Sequence, residues 1–160
     1  MSRLMSAAVL AVALVAAGGP ALADMRPGVI SAFRGQVVVS KDELPEAAKN
    51  DRDTIAKIKG VRLKELVGVA QDDVTSWQFH YTAFLNKTGA KALKLEFITT
   101  DKDHRLAADK RLDSIDPKSA VLSGDISISE DEGLAKGKAY TLNLVNDRNQ
   151  VVSSTPIVMK

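Results

Sequence analysis

Between Thr75 and Asn86 the side chains alternate. Trp77, Phe79, Tyr81, Ala83 and Leu85 fall on one parity, with Gln78, His80, Thr82 and Asn86 on the other. Successive residues of a strand point to opposite faces, so this pattern demands an extended strand with one buried side. A helix would scatter the same aromatics around its whole surface. Phe84 is the exception: in a strict strand it points away from the aromatic face, unless a bulge turns it inward.

The rest of the chain follows the same rule in shorter pieces. Gly35–Ser40 is a β-branched run and reads as the first strand. Leu93, Leu95 and Phe97 alternate with Lys94, Glu96 and Ile98, the expected hairpin partner of the aromatic strand across a turn at 87–90. Residues 104–113 alternate weakly, as an edge strand does. Val121–Ser129 is a strand, and Tyr140, Leu142 and Leu144 mark another. Gln150–Met159 is the last, with Pro156 confining its end to an edge. Asp101–Asp103, Asp116–Pro117 and Asn146–Asn149 are turns. Lys41–Asp53 reads as a loop or a short helical excursion. Thr54–Val69 fits two templates, and the reading taken is a helix over 53–59 followed by a strand over 61–68. Short strands at regular spacing with almost no helix predict a β-sandwich.

Residues 1–23 read as a secretory signal peptide. Arg3 precedes an apolar run from Leu4 to Ala17, then Gly18, Gly19 and Pro20, then the small-x-small pattern Ala21-Leu22-Ala23. Cleavage is expected after Ala23, leaving a flexible lead-in over 24–34 and one domain over 35–160. The apolar run is shorter than the roughly 20 residues a membrane span needs, so the mature form carries no span. The expected location is the bacterial periplasm or the exterior. The 160 residues contain no cysteine, which excludes disulfides, thiolate catalysis and Cys-ligated metals. A formal charge of +2 argues against nucleic acid as a partner.

Two features resemble the immunoglobulin-like and fibronectin type III sandwiches of secreted bacterial proteins. Trp77 stands near the start of the most apolar strand, where such folds keep a core tryptophan. Leu134, Gly137 and Tyr140, in the run Leu134–Leu142, are similar to the tyrosine-corner pattern L-x-x-G-x-x-Y-x-L. Lys136 stands where the family often has proline, and the bridging cysteines of antibody domains are absent. The resemblance implies an all-β, immunoglobulin-like antiparallel sandwich of seven or eight strands, with a short helix or loop near 42–59. It also implies a Tyr140 hydroxyl tied to the backbone a few residues upstream. It brings over no catalytic residue.

Candidate sites are few. Trp77, Phe79 and Tyr81 share a face with Ala83 and Leu85, which assigns them to the core rather than to an aromatic binding platform. His80, Thr82 and Phe84 lie on the opposite face, the candidate binding face. His80 and His104 are too few for a zinc site, and no H-E-x-x-H spacing occurs. Glu130, Asp131 and Glu132 form the acidic cluster that no base interrupts, and are the candidate calcium ligands. The other cluster, Asp101 to Asp116, is interleaved with Lys102, Arg105, Lys110 and Arg111, as solvated turns are. No G-x-S-x-G elbow and no Gly-rich phosphate loop occurs, and no cofactor is expected. Three functions compete. The first is a non-enzymatic interaction or structural module of the cell envelope, binding a protein or polysaccharide through an edge strand; the 104–113 region and the last strand are the candidate edges. The second is a calcium-dependent carbohydrate- or surface-binding domain. The third is a small hydrolase, which needs a histidine within reach of a serine and a carboxylate.

Overall fold

The computed structural model describes residues 25–85 and 90–160. The segment read as a signal peptide, and residues 87–89 of the turn expected at 87–90, lie outside the described residues. In chain order the elements are α1 (Pro27–Phe33), β1 (Val37–Ser40), α2 (Asp51–Val61), β2 (Glu65–Leu66) and β3 (Val69–Gln71). Then follow β4 (Val74–Phe84), β5 (Leu93–Thr99), β6 (Leu106–Leu112), β7 (Val121–Ser129), a 3-10 turn (Glu130–Glu132), β8 (Ala139–Asn146) and β9 (Val151–Met159). They make an all-β, immunoglobulin-like antiparallel sandwich.

In the smaller sheet β4 is central. β7 runs along one side of it, and β1 and β3 share the other. The larger sheet has the order β2-β9-β8-β5-β6, antiparallel throughout except for the β2–β9 pair. The aromatic strand and Leu93–Thr99 therefore do not form the expected hairpin. β4 and β5 belong to opposite sheets, and the chain crosses between them. Alternation fixes which face of each strand is buried, but two strands facing one core satisfy it equally from the same sheet or from opposite ones.

Trp77, Phe79, Tyr81, Ala83 and Leu85 point between the sheets. They meet Leu93, Leu95 and Phe97 of β5, Tyr140, Leu142 and Leu144 of β8, and Ile126 and Ile128 of β7. Phe97 stands edge-on to both Phe79 and Tyr140, each with centroids 6.4 Å apart. Trp77 is fully buried, and its indole Nε1 donates to the Lys160 carbonyl at 3.1 Å.

The expected flexible lead-in over 24–34 is instead largely a helix. Pro27 starts α1, a position where its missing N–H costs nothing, and Val29 and Phe33 lie four residues apart on one buried face. α2 is longer than expected. Asn50 caps it by accepting from the Asp53 N–H at 2.8 Å, and Thr54 and Ile58 face inward. The strand expected over 61–68 is reduced to the two-residue β2, with the three-residue β3 following it at 69–71. Val29, Phe33, Val38, Leu44, Ile58 and Phe84 make a second apolar cluster on the far side of the smaller sheet. The Phe33 and Phe84 rings lie 5.1 Å apart.

Phe84→Ala should therefore cost about 3–5 kcal/mol, the range for a core aromatic. Urea denaturation of the variant checks this. A loss below about 1 kcal/mol would mean that the helices dock without Phe84.

Candidate functional site

The candidate binding face is the first correction. His80 is 4 % exposed, and Thr82 and Phe84 are fully buried. Phe84 does point away from the aromatic core, as strict alternation requires, but it enters the second cluster. Register places Ser40 of β1 and Asp125 of β7 on either side of His80. His80 Nδ1 and Asp125 Oδ1 are 2.9 Å apart, and the Asp125 side chain is 64 % exposed. Ser40 Oγ donates elsewhere, to the Asp42 carbonyl at 2.7 Å. The Thr82 hydroxyl has no hydrogen-bond partner among the described residues. A serine, a histidine and a carboxylate thus lie in one row across three strands, but the serine is not bonded to the ring. The first two members of the row, Ser40 and His80, are buried, and Asp125 alone reaches the surface.

Asp125 also acts through the sheet. Burial pushes the Tyr81 phenol up to about 12, and the negative charge of Asp125 adds to the shift.

The acidic triplet is the second correction. Glu130, Asp131 and Glu132 form the 3-10 turn that follows β7. Glu130 Oε2 accepts from the Thr75 backbone N–H at 2.8 Å. Glu132 accepts from the Ser129 N–H at 3.0 Å, completing a capping box, and pairs with Lys110. Two of the three carboxylates are therefore spent on backbone donors and a lysine. Among the described residues no group of three or more His, Asp or Glu could hold a metal ion. The Thr75 N–H holds the Glu130 carboxyl below the usual carboxylate range.

The corner beyond the turn matches the tyrosine pattern in detail. Leu134 is buried, and Gly137 turns the chain at φ +80° while its N–H donates to the Met159 carbonyl at 2.6 Å. The Tyr140 hydroxyl accepts from the Ala135 N–H at 2.9 Å. His104 is an exposed loop residue at φ +43°. In the other acidic cluster, Asp101 is engaged by Thr99 and by the Asp103 N–H, and Asp113 pairs with Arg111 at 2.8 Å.

The edges differ sharply. β6 is an edge, as expected, but it is guarded. It carries Asp109, Lys110 and Arg111, and its register with β5 shifts at Phe97/Ile98. The corner leans on it so closely that a Cβ at Gly133 would collide with the Ala107 carbonyl oxygen. β9, the other expected edge, is covered at intervals. Ser154 N–H donates to the Gly35 carbonyl and Val158 N–H to the Lys64 carbonyl. Pro156 lies between them with its missing N–H on that same outer side, where it costs no ladder bond to β8.

Sequence reading missed β7 as an edge. It pairs with β4 over nine consecutive residues without a bulge, and among the described residues no other strand pairs with its far side. Val121, Ser123, Asp125 and Ser127 turn their N–H and C=O groups outward, because the even-numbered residues between them pair with β4. The signal was present: this strand carries one charge, no lysine and no proline.

No family model matches the chain, and no curated protein does. Among solved structures it is similar to a β-glucosidase from Kluyveromyces marxianus in complex with glucose, at 10 % identity and a TM-score of 0.32. That likeness covers 60 % of this chain and 14 % of the enzyme, and it carries no argument about activity.

Two outcomes follow. Tyr140→Phe should cost about 1–3 kcal/mol, because the Ala135 N–H loses its acceptor; a loss under about 0.5 kcal/mol would make Tyr140 ordinary core. The depressed Glu130 carboxyl adds stability that is complete above the usual carboxylate range. That contribution is lost as pH falls through the lowered folded value, since the unfolded chain takes up its proton first. Melting points between pH 2 and 7 should fall less steeply on the acid side in Glu130→Gln than in the parent. Parallel acid limbs would refute the assignment.

Proposed function

We propose that the chain is an exported, non-enzymatic sandwich, akin to secreted bacterial immunoglobulin-like proteins. It serves as an interaction or structural module of the bacterial cell envelope, with an envelope protein or polysaccharide as its partner class. The observation that carries this reading is the unguarded edge of β7. Sandwich proteins normally blunt such edges with charge, proline, bulges or cover, and an edge left open is a template for strand addition. The neighbouring polar groups are spent on the fold: His80 on Asp125, Glu130 on Thr75, and Tyr140 on Ala135.

A small hydrolase is the second reading, and the placing of Ser40, His80 and Asp125 in one row speaks for it. Against it, Ser40 is 1 % exposed and its hydroxyl is turned to Asp42.

The test is cross-linking of the exported protein in a native envelope extract, with adducts identified and mapped by mass spectrometry. The expected result is a defined adduct, to an envelope component or to a second copy, that maps to residues 121–127. No adduct on β7, together with an ester-hydrolysing activity that Ser40→Ala abolishes, would replace the module reading with the hydrolase.

A further inference from the structure

We propose that the occupant of the β7 edge is a second copy of β7, paired antiparallel about a twofold axis through Gly124. This deepens the module reading and rests on it only in taking β7 as the binding edge.

The argument starts from which backbone groups are available. Val121, Ser123, Asp125 and Ser127 offer outward N–H and C=O groups. Ser129 would be the fifth, but its N–H is taken by Glu132 at 3.0 Å. The available set is therefore symmetric about residue 124. In an antiparallel pair, outward-bonding residues must stand opposite one another. One register uses all four on both copies. It sets Val121 opposite Ser127 and Ser123 opposite Asp125, twice each, with Leu122 opposite Ile126 on the inner face.

At the centre of that register Gly124 meets Gly124 in a non-hydrogen-bonded pair, where Cα atoms approach to about 4.5 Å. A glycine leaves that crossing unobstructed. Its own fold also favours glycine there, since a Cβ would lie 3.2 Å from the Tyr81 ring.

Charge selects the same register. Shifting the axis by one residue would set Asp125 against Asp125, and like charges directly opposite are destabilising. About Gly124, each Asp125 faces the Ser123 hydroxyl of the other copy. The carboxylate is also drawn back to His80 on its own strand's neighbour, so the one charge able to guard this edge is engaged. An isologous contact of this kind closes after two copies, which keeps an open edge from growing into a fibre.

The experiment is sedimentation equilibrium at low salt on the exported protein and on two variants, with circular dichroism melts to establish that each is folded. The parent should be a concentration-dependent dimer. Ser123→Asp places two like-charge pairs across the axis and should weaken the dimer about tenfold. Ser123→Lys places opposite charges there and should hold or tighten it. A folded parent that stays monomeric at all concentrations overturns self-pairing, while the module reading then stands or falls on its own cross-linking map. A dimer that both substitutions weaken alike, or neither changes, overturns the register.

Discussion

From Phe79 to Phe84 β4 is buried on both faces, and the rest of the molecule is arranged around that fact. One face brings Trp77, Phe79 and Tyr81 to the space between the sheets; on the other, His80 and Thr82 are buried and Phe84 joins Val29, Phe33 and Ile58 of the N-terminal helices. An antiparallel strand usually keeps one face toward water. Here α1 and α2 cover the part of the second face around Phe84, a third layer rather than an ornament. A strand so enclosed also places heavy demands on its polar residues. His80 meets them through Asp125, whereas the Thr82 hydroxyl finds no partner among the described residues, at a cost that the apolar surface around it must offset.

The acidic residues follow the same logic at the other end of the sandwich. Glu130 reaches from the turn after β7 to the first residues of β4, and Glu132 reaches back to β7 and across to β6. Carboxylates that could gather a cation in an open loop serve instead as acceptors for backbone N–H groups that would otherwise lack partners. The turn leads into the corner, where the Tyr140 hydroxyl accepts from the Ala135 N–H and holds the chain at the crossing between sheets.

Much of the fold was legible because it rests on parity. Trp77 to Leu85, Leu93 to Phe97 and Tyr140 to Leu144 each declare a buried face from their own spacing, and the Leu134-Gly137-Tyr140 pattern declares the corner. Parity does not say who pairs with whom, so β4 and β5 read as a hairpin although they face each other across the core. Nor does it reveal a third layer. His80, Thr82 and Phe84 look like a solvent face until Val29 and Phe33 are seen at helical spacing behind Pro27. The candidate site was legible only in part. Asp125 is an unremarkable strand residue until register places it beside His80, and the openness of β7 is a property of its neighbours rather than of its own residues.

The way β9 is held has a consequence for how the molecule is made. This final strand pairs with β8 on one side, and on the other it receives Gln36 and β2 from the beginning of the domain. Arg62 reaches Thr155, and Trp77 reaches the carbonyl of Lys160. These contacts join residues more than eighty positions apart, so the chain pays most of its loop-closure entropy before it gains them. The larger sheet is therefore joined to the beginning of the domain only when β9 takes its place between β8 and β2. Pairings of such long sequence separation make the larger sheet a slowly closing element, since its most distant strands must find each other before either is held.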